Sequence, residues 1–305
     1  MPPAAPAASE YRASLPAIWS ALIAVYLIWG STYLAIRYAV ETMPPFLMAG
    51  ARFIISGGFL YTLRRFGGDP APKALEWRSA AIIGMFLLVG GNGSVVWAQQ
   101  YVASSLAALL VATVPLWMVS MDAFRPGGHR PGLLAVAGIL IGFGGVVLLI
   151  RSVAGAADAT SLPAAAALIL ASLTWSIGSL YGRTATLPAS QLLGTAMEML
   201  AGGAALLLIA IVAGEWNDLD IATVSRRSAL ALIYLTVIGS SAFVAYVWLL
   251  RVAPTPLVAT YAYVNPLVAV LLGYFIAREP MALRTLLAAA LIIGSVALVS
   301  LPQRR

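Results

Sequence analysis

The chain has 305 residues, of which 61% are hydrophobic and only 10% charged, whereas a soluble globule carries about a quarter charged residues; this excludes a water-soluble fold and makes the bilayer the solvent. The net charge of +7 comes from basic residues scattered singly between apolar runs, which excludes a nucleic-acid surface. With no cysteine there is no disulfide framework, thiolate metal site or cysteine nucleophile, and neither cofactor nor metal is expected.

Residues 1–16 are Ala/Pro-rich and lack an apolar segment; they are expected to be a disordered cytoplasmic N-terminus and not a cleaved signal peptide. A membrane helix needs about 20 mostly apolar residues. Cutting the chain at charges, prolines and glycines gives ten such stretches, at 17–36, 45–63, 79–99, 103–121, 132–150, 162–182, 189–213, 228–250, 256–277 and 282–301. The third break, in "QQYVASS", carries no charge, but 79–121 is too long for one span. With the N-terminus placed inside, cytoplasmic segments hold eleven Lys and Arg residues and outer segments six, so both termini are expected to be cytoplasmic. The chain divides into a first five-helix unit at 17–151, a linker at 152–161, a second unit at 162–301 and a tail at 302–305.

An internal repeat relates the two units. Trp29 and Trp175, Arg37 and Arg183, and Gly57 and Gly203 are each 146 residues apart. Trp97 and Trp248, like Pro115 and Pro266, are 151 apart. Five spans is an odd number, so the second unit sits upside down relative to the first. The expected fold is an all-α membrane protein of ten transmembrane helices, built as two inverted five-helix repeats around a central cavity. In that arrangement, swapping the conformations of the halves exchanges inward and outward access.

Pro115 and Pro266 occupy matching places in spans 4 and 9, and each removes a backbone donor. Either they kink helices for packing, or they weaken two gates beside a wet cavity, where irregular backbone is tolerated. Arg52 and Glu198 lie mid-span, also 146 residues apart. Either they form an intramembrane charge pair or Arg52 receives a substrate carboxylate. Trp19, Trp77 and Trp216 suit the interfacial belt. Trp29 and Trp175 lie deeper, and either pack as core or line a cavity. Tyr33, Asn92, Gln99, Tyr101, Tyr261 and Asn265 complete the candidate cavity lining. "GILIG" (Gly138–Gly142) is a small-residue face that joins either spans 5 and 10 or two protomers of a homodimer. No catalytic constellation is present: there is no HExxH, P-loop or nucleophile elbow, and His129 is the only histidine.

Four stretches carry a family resemblance. They are "YLIWGSTYLAIRYA" (Tyr26–Ala39), "ARF" (Ala51–Phe53), "SLAALLVATVPLW" (Ser105–Trp117) and "PLVATYAYVNPLVAVLLGYFIAREPMALRTLLAAALIIGSVALV" (Pro256–Val299). These resemble the first, second, fourth and closing pair of spans of EamA-type proteins in the drug/metabolite transporter superfamily. The resemblance covers nearly the whole chain as two five-span repeats, and is greatest to bacterial exporters of amino acids, aromatic ones included. It implies an inner-membrane exporter. The first-half turn "RPGGHRPG" (Arg125–Gly132) lacks the Glu usual there, so Glu279 in the second is expected to do no more than close its turn.

The expected function is therefore export of amino acids and related small metabolites by alternating access, as facilitated diffusion. The alternative is a multidrug-like or other metabolite exporter coupled to protons through Glu198. A membrane scaffold or sensor would show no cavity on the repeat axis.

Overall fold

Backbone amides find no partner in hydrocarbon, so a chain of this composition must satisfy them within each segment. The computed structural model describes residues 14–124, 132–154, 161–253, 257 and 260–300, and its regular elements among those residues are all helical. The helices are α1 (Leu15–Ala39), α2 (Pro45–Phe66), α3 (Ala74–Ala98), α4 (Ser104–Phe124), α5 (Leu133–Ala154), α6 (Ser161–Gly182), α7 (Gln191–Val212), α8 (226–252), α9 (Tyr261–Phe275) and α10 (Leu283–Ser300). Seven are long and apolar enough to cross a membrane: α1 to α4, α6, α7 and the first part of α8. The described parts of α5, α9 and α10 are shorter apolar helices. Residues 1–13, the His129 turn, most of the 152–161 linker and the 302–305 tail lie outside the described residues.

Local chemistry sets the boundaries. Ser14 caps α1 by accepting from the Ala17 N–H, and Pro16 follows in the first turn, where its missing donor costs nothing. A turn at residues 99–103 separates α3 from α4 without any charge to mark it. It is held instead by Gln99, described below.

Small residues set the close helix pairs. α2 and α7 run antiparallel, with Gly57 against Ala196 and Met199, and Gly203 against Gly50 and Phe53. A Cβ on Gly203 would lie 3.1 Å from that of Phe53, so glycine lets these backbones approach without either helix having to shift. On α5, Gly142 packs against Leu116 and Ser295, and Gly145 against Leu291 and Ile292. The small-residue face of α5 therefore meets α10 within the chain, the first of the two alternatives read from "GILIG".

Three helices are irregular. α3 contains a π-helical stretch at Met85–Gly93, and α8 one at Leu235–Gly239. Nothing in the hydropathy pattern predicts either. α4 breaks after Val111 and restarts at Val114, one residue before Pro115.

Candidate functional site

At the centre of the helices lies a cavity in which about 120 Å³ is open to the centres of water-sized atoms. One water needs roughly 10–15 Å³ on that measure, so the space is that of a small metabolite. Its wall draws on both units: α1 to α4 of the first, and α6, α8 and α9 of the second. Of the sequence candidates, Trp29, Tyr33, Asn92, Trp175, Tyr261, Asn265, Pro115, Pro266 and Arg52 all lie in this wall.

Each is positioned by its helix. Trp29 of α1 packs against Phe243, Tyr246 and Tyr261, with ring centroids 5.5, 4.9 and 5.3 Å away. It is thus core on one side and cavity wall on the other, and these edge-on and tilted contacts fix its plane. Trp175 of α6 lies directly on Gly91, where a Cβ would come within 2.9 Å of the indole. Gly91 sits in the π-helical stretch of α3, so that irregularity and the bare glycine together admit the ring.

Both prolines are stitched to a helix of the opposite unit. Pro115 cannot donate to the carbonyl one turn earlier. Around that break, the Leu110 carbonyl accepts from the Thr113 hydroxyl at 2.7 Å and from Ser172 of α6 at 3.2 Å, and the Val114 carbonyl accepts from Ser176 at 3.1 Å. Ser172 and Ser176 are fully buried and one turn apart, so they present one polar edge to α4. Beside Pro266, the Asn265 side chain faces the carbonyls of Tyr261 and Tyr26 of α1, which orients its amide nitrogen toward them as donor, at 3.2 and 3.3 Å. The Tyr26 hydroxyl also meets that of Thr260, just before α9. Asn265 is therefore occupied by backbone, although it borders the cavity.

Three sequence candidates are placed differently. Gln99 is fully buried but away from the cavity. Its side-chain amide donates to the Tyr33 carbonyl at 2.9 Å, while its backbone carbonyl accepts from Arg37 at 2.6 Å, so it pins the turn after α3 to α1. Tyr101 is 42% exposed and stacks edge-on against Trp97. Arg52 and Glu198 do not form a pair. Gly50 faces Leu207 and Gly57 faces Met199, so antiparallel packing sets Arg52 level with Ala205 and Glu198 level with Gly58. Some six residues, about 9 Å of helix rise, separate them. Glu198 is only partly buried and does not line the cavity.

Arg52 is consequently alone. It is 7% exposed, and its Nε and Nη1 have no hydrogen-bond partner. Its guanidinium carbon lies 4.4 Å from the Phe53 ring centre, a cation–π contact. No Asp or Glu lines the cavity among the described residues. Holding a charge at mid-membrane costs at least about 2.5–3.5 kcal/mol.

Sequence reading missed Phe53, Phe243 and Thr32 of the wall and the Ser172–Ser176 pair. The serines carried a signal in their one-turn spacing; the phenylalanines are indistinguishable from core by residue type. Among the described residues no group of three His, Cys, Asp or Glu side chains is placed to hold a metal ion.

The model of the EamA-like transporter family matches this chain twice, over residues 16–151 and 162–301. The chain is 40% identical over 295 residues to the "Uncharacterized inner membrane transporter YedA" of Escherichia coli (strain K12), covering 96% of this chain and 93% of that one. It is 24% identical to a chloroplastic WAT1-related protein of Arabidopsis thaliana over 93% of this chain and 70% of the relative. A solved crystal structure superposes with a TM-score of 0.64 at 24% identity, over 94% of this chain and 98% of its own. With one family model spanning each half and a cavity walled by both, the chain belongs to the EamA-like transporter family.

Proposed function

We propose that this protein is an inner-membrane exporter of amino acids and related small metabolites, working by alternating access. The observation that carries the reading is the central cavity, to which both halves contribute helices and in which aromatic walls surround a few polar groups. The ten helices act as two inverted five-helix units with both termini cytoplasmic, and spans 4 and 9 flex at Pro115 and Pro266 to open one side at a time. The double family match, the antiparallel α2–α7 crossing and the paired π-helical stretches in α3 and α8 support inversion. The likeness to YedA, an inner membrane transporter by name, supports the inner membrane and transport. The absence of a carboxylate from the described cavity wall supports facilitated diffusion.

One feature favours a second reading, proton coupling: Glu198 is an acid within a membrane helix. Proteoliposomes holding the purified protein separate the two. Saturable uptake of labelled threonine, methionine or phenylalanine without a pH gradient is the expected result. Flux only under a gradient, lost in Glu198→Gln, would establish the coupled reading. Absence of flux of all three would overturn the amino-acid assignment.

A further inference from the structure

Arg52 is an ion without a counter-ion. Nothing in the described wall neutralises it, its Nε and Nη1 are unbonded, and it is 93% withdrawn from solvent on the cavity's edge. A guanidinium remains protonated in proteins, so the empty cavity carries a fixed positive charge whose N–H donors are not taken up by protein acceptors. A carboxylate answers such a charge with short, charge-assisted hydrogen bonds. The second unspent group is Asn92, whose Oδ1 is buried without a donor on the same wall. An acceptor in that state is completed by an N–H or O–H from the cargo. Two further polar wall groups are already used: Thr32 bonds the Trp29 carbonyl and Asn265, with its amide oriented to fit its neighbours, bonds backbone. Among the described wall residues no acidic group stands ready for an ammonium.

We infer that the cargo is defined by a carboxylate anchored on Arg52 beside a neutral or charged donor received by Asn92, so that 2-hydroxy acids are carried as well as 2-amino acids and amines without a carboxylate are rejected. The ammonium of an amino acid is dispensable because a hydroxyl supplies the same donor. The aromatic wall of Trp29, Trp175, Phe53 and Phe243 takes the side chain. The inference rests on the cavity being the transport site, as proposed above, and it excludes cationic drugs, which would meet an uncompensated like charge.

Three ligands of one skeleton test it: 3-phenyllactate, phenylalanine and phenethylamine. Binding to the purified protein is followed by titration calorimetry, and flux by counterflow in liposomes. Phenyllactate and phenylalanine are expected to bind within a few-fold of one another, and phenethylamine at least tenfold more weakly. Arg52→Gln is expected to weaken both acids about 10- to 100-fold, the usual worth of hydrogen bonds to a charged group, and Arg52→Lys less. Burying a charge without a counter-ion costs more than one contact with the Phe53 ring returns, so Arg52→Gln should leave the unliganded melting temperature unchanged or raise it. A structural role would lower it.

Equal binding of phenethylamine, acid affinity unchanged in Arg52→Gln, or no binding of any of the three would overturn the anchor. Should Arg52→Gln fail to fold, Arg52 is structural and the inference is wrong for the residue; the wild-type ranking still decides the cargo class. Acid binding without flux would leave the anchor standing and sink the transport reading instead. Flux that favours phenethylamine would do the reverse.

Discussion

Glu279 accepts hydrogen bonds from the backbone N–H groups of Ser104 and Ser105, at 2.7 and 3.0 Å, and from both their hydroxyls. These are the orphan donors at the start of α4, and a carboxylate there also meets the positive end of the helix dipole. Glu215 does the same for α2, accepting from Leu47 at 2.8 Å and Phe46 at 3.3 Å. α2 begins at Pro44–Pro45, where the cap residue itself has no side-chain acceptor. Glu279→Ala should cost about 2 kcal/mol, seen as a lower melting temperature in detergent; an unchanged value would show that the cap is idle. Asp69, in the loop after α2, accepts from Arg64 at 2.8 and 2.9 Å and from Ser190. Those bonds, Arg64 first, hold its carboxyl below the usual carboxylate range. Its folded pKa is below its unfolded one, so its contribution is complete above about pH 4 and lost as pH falls through the depressed value. Asp69→Asn should therefore be less stable at neutral pH, with the difference from wild type narrowing in acid. The sequence displays such residues but not their partners: Glu279 reads as turn closure because Ser104 lies 175 positions earlier. For the same reason Gln99 reads as cavity lining, although its amide is spent on α1.

At the scale of the helix, periodicity and hydropathy locate the apolar segments and the two prolines. They do not reveal the π-helical stretches Met85–Gly93 and Leu235–Gly239, whose extra residue per turn leaves composition unaltered. Each stretch contributes glycine to the cavity wall, Gly91 in one and Gly239 in the other. The serine edge of α6 is the more accessible target. Ser172→Ala and Ser176→Ala each remove a donor from a buried carbonyl of α4, at about 1 kcal/mol apiece. Should α4 flex during transport, the double variant would change turnover as well as stability, whereas changes confined to melting temperature would make the bonds static. Pro115→Ala restores the missing backbone donor and is expected to slow counterflow while leaving equilibrium binding intact. Unchanged rates would remove α4 from the gating motion.

For the whole molecule, the α2–α7 crossing is a close glycine-lined contact between the two units. Gly203→Leu would drive a side chain into Phe53 and Ile54, costing at least about 1–3 kcal/mol, and should abolish folded protein in size-exclusion chromatography. A well-folded variant would contradict the close approach described. The halves are further tied where each kinked helix borrows from the other unit, α4 from α6 and α9 from α1. The bond between Tyr26 and Thr260 spans 234 residues of chain. During synthesis α1 therefore enters the lipid with its tyrosine hydroxyl unsatisfied, and waits for almost the entire polypeptide before its partner emerges. Assembly of the cavity is accordingly a late event, and a ribosome halted before α9 leaves a product whose earliest helix is still seeking its mate, a natural substrate for membrane quality-control proteases.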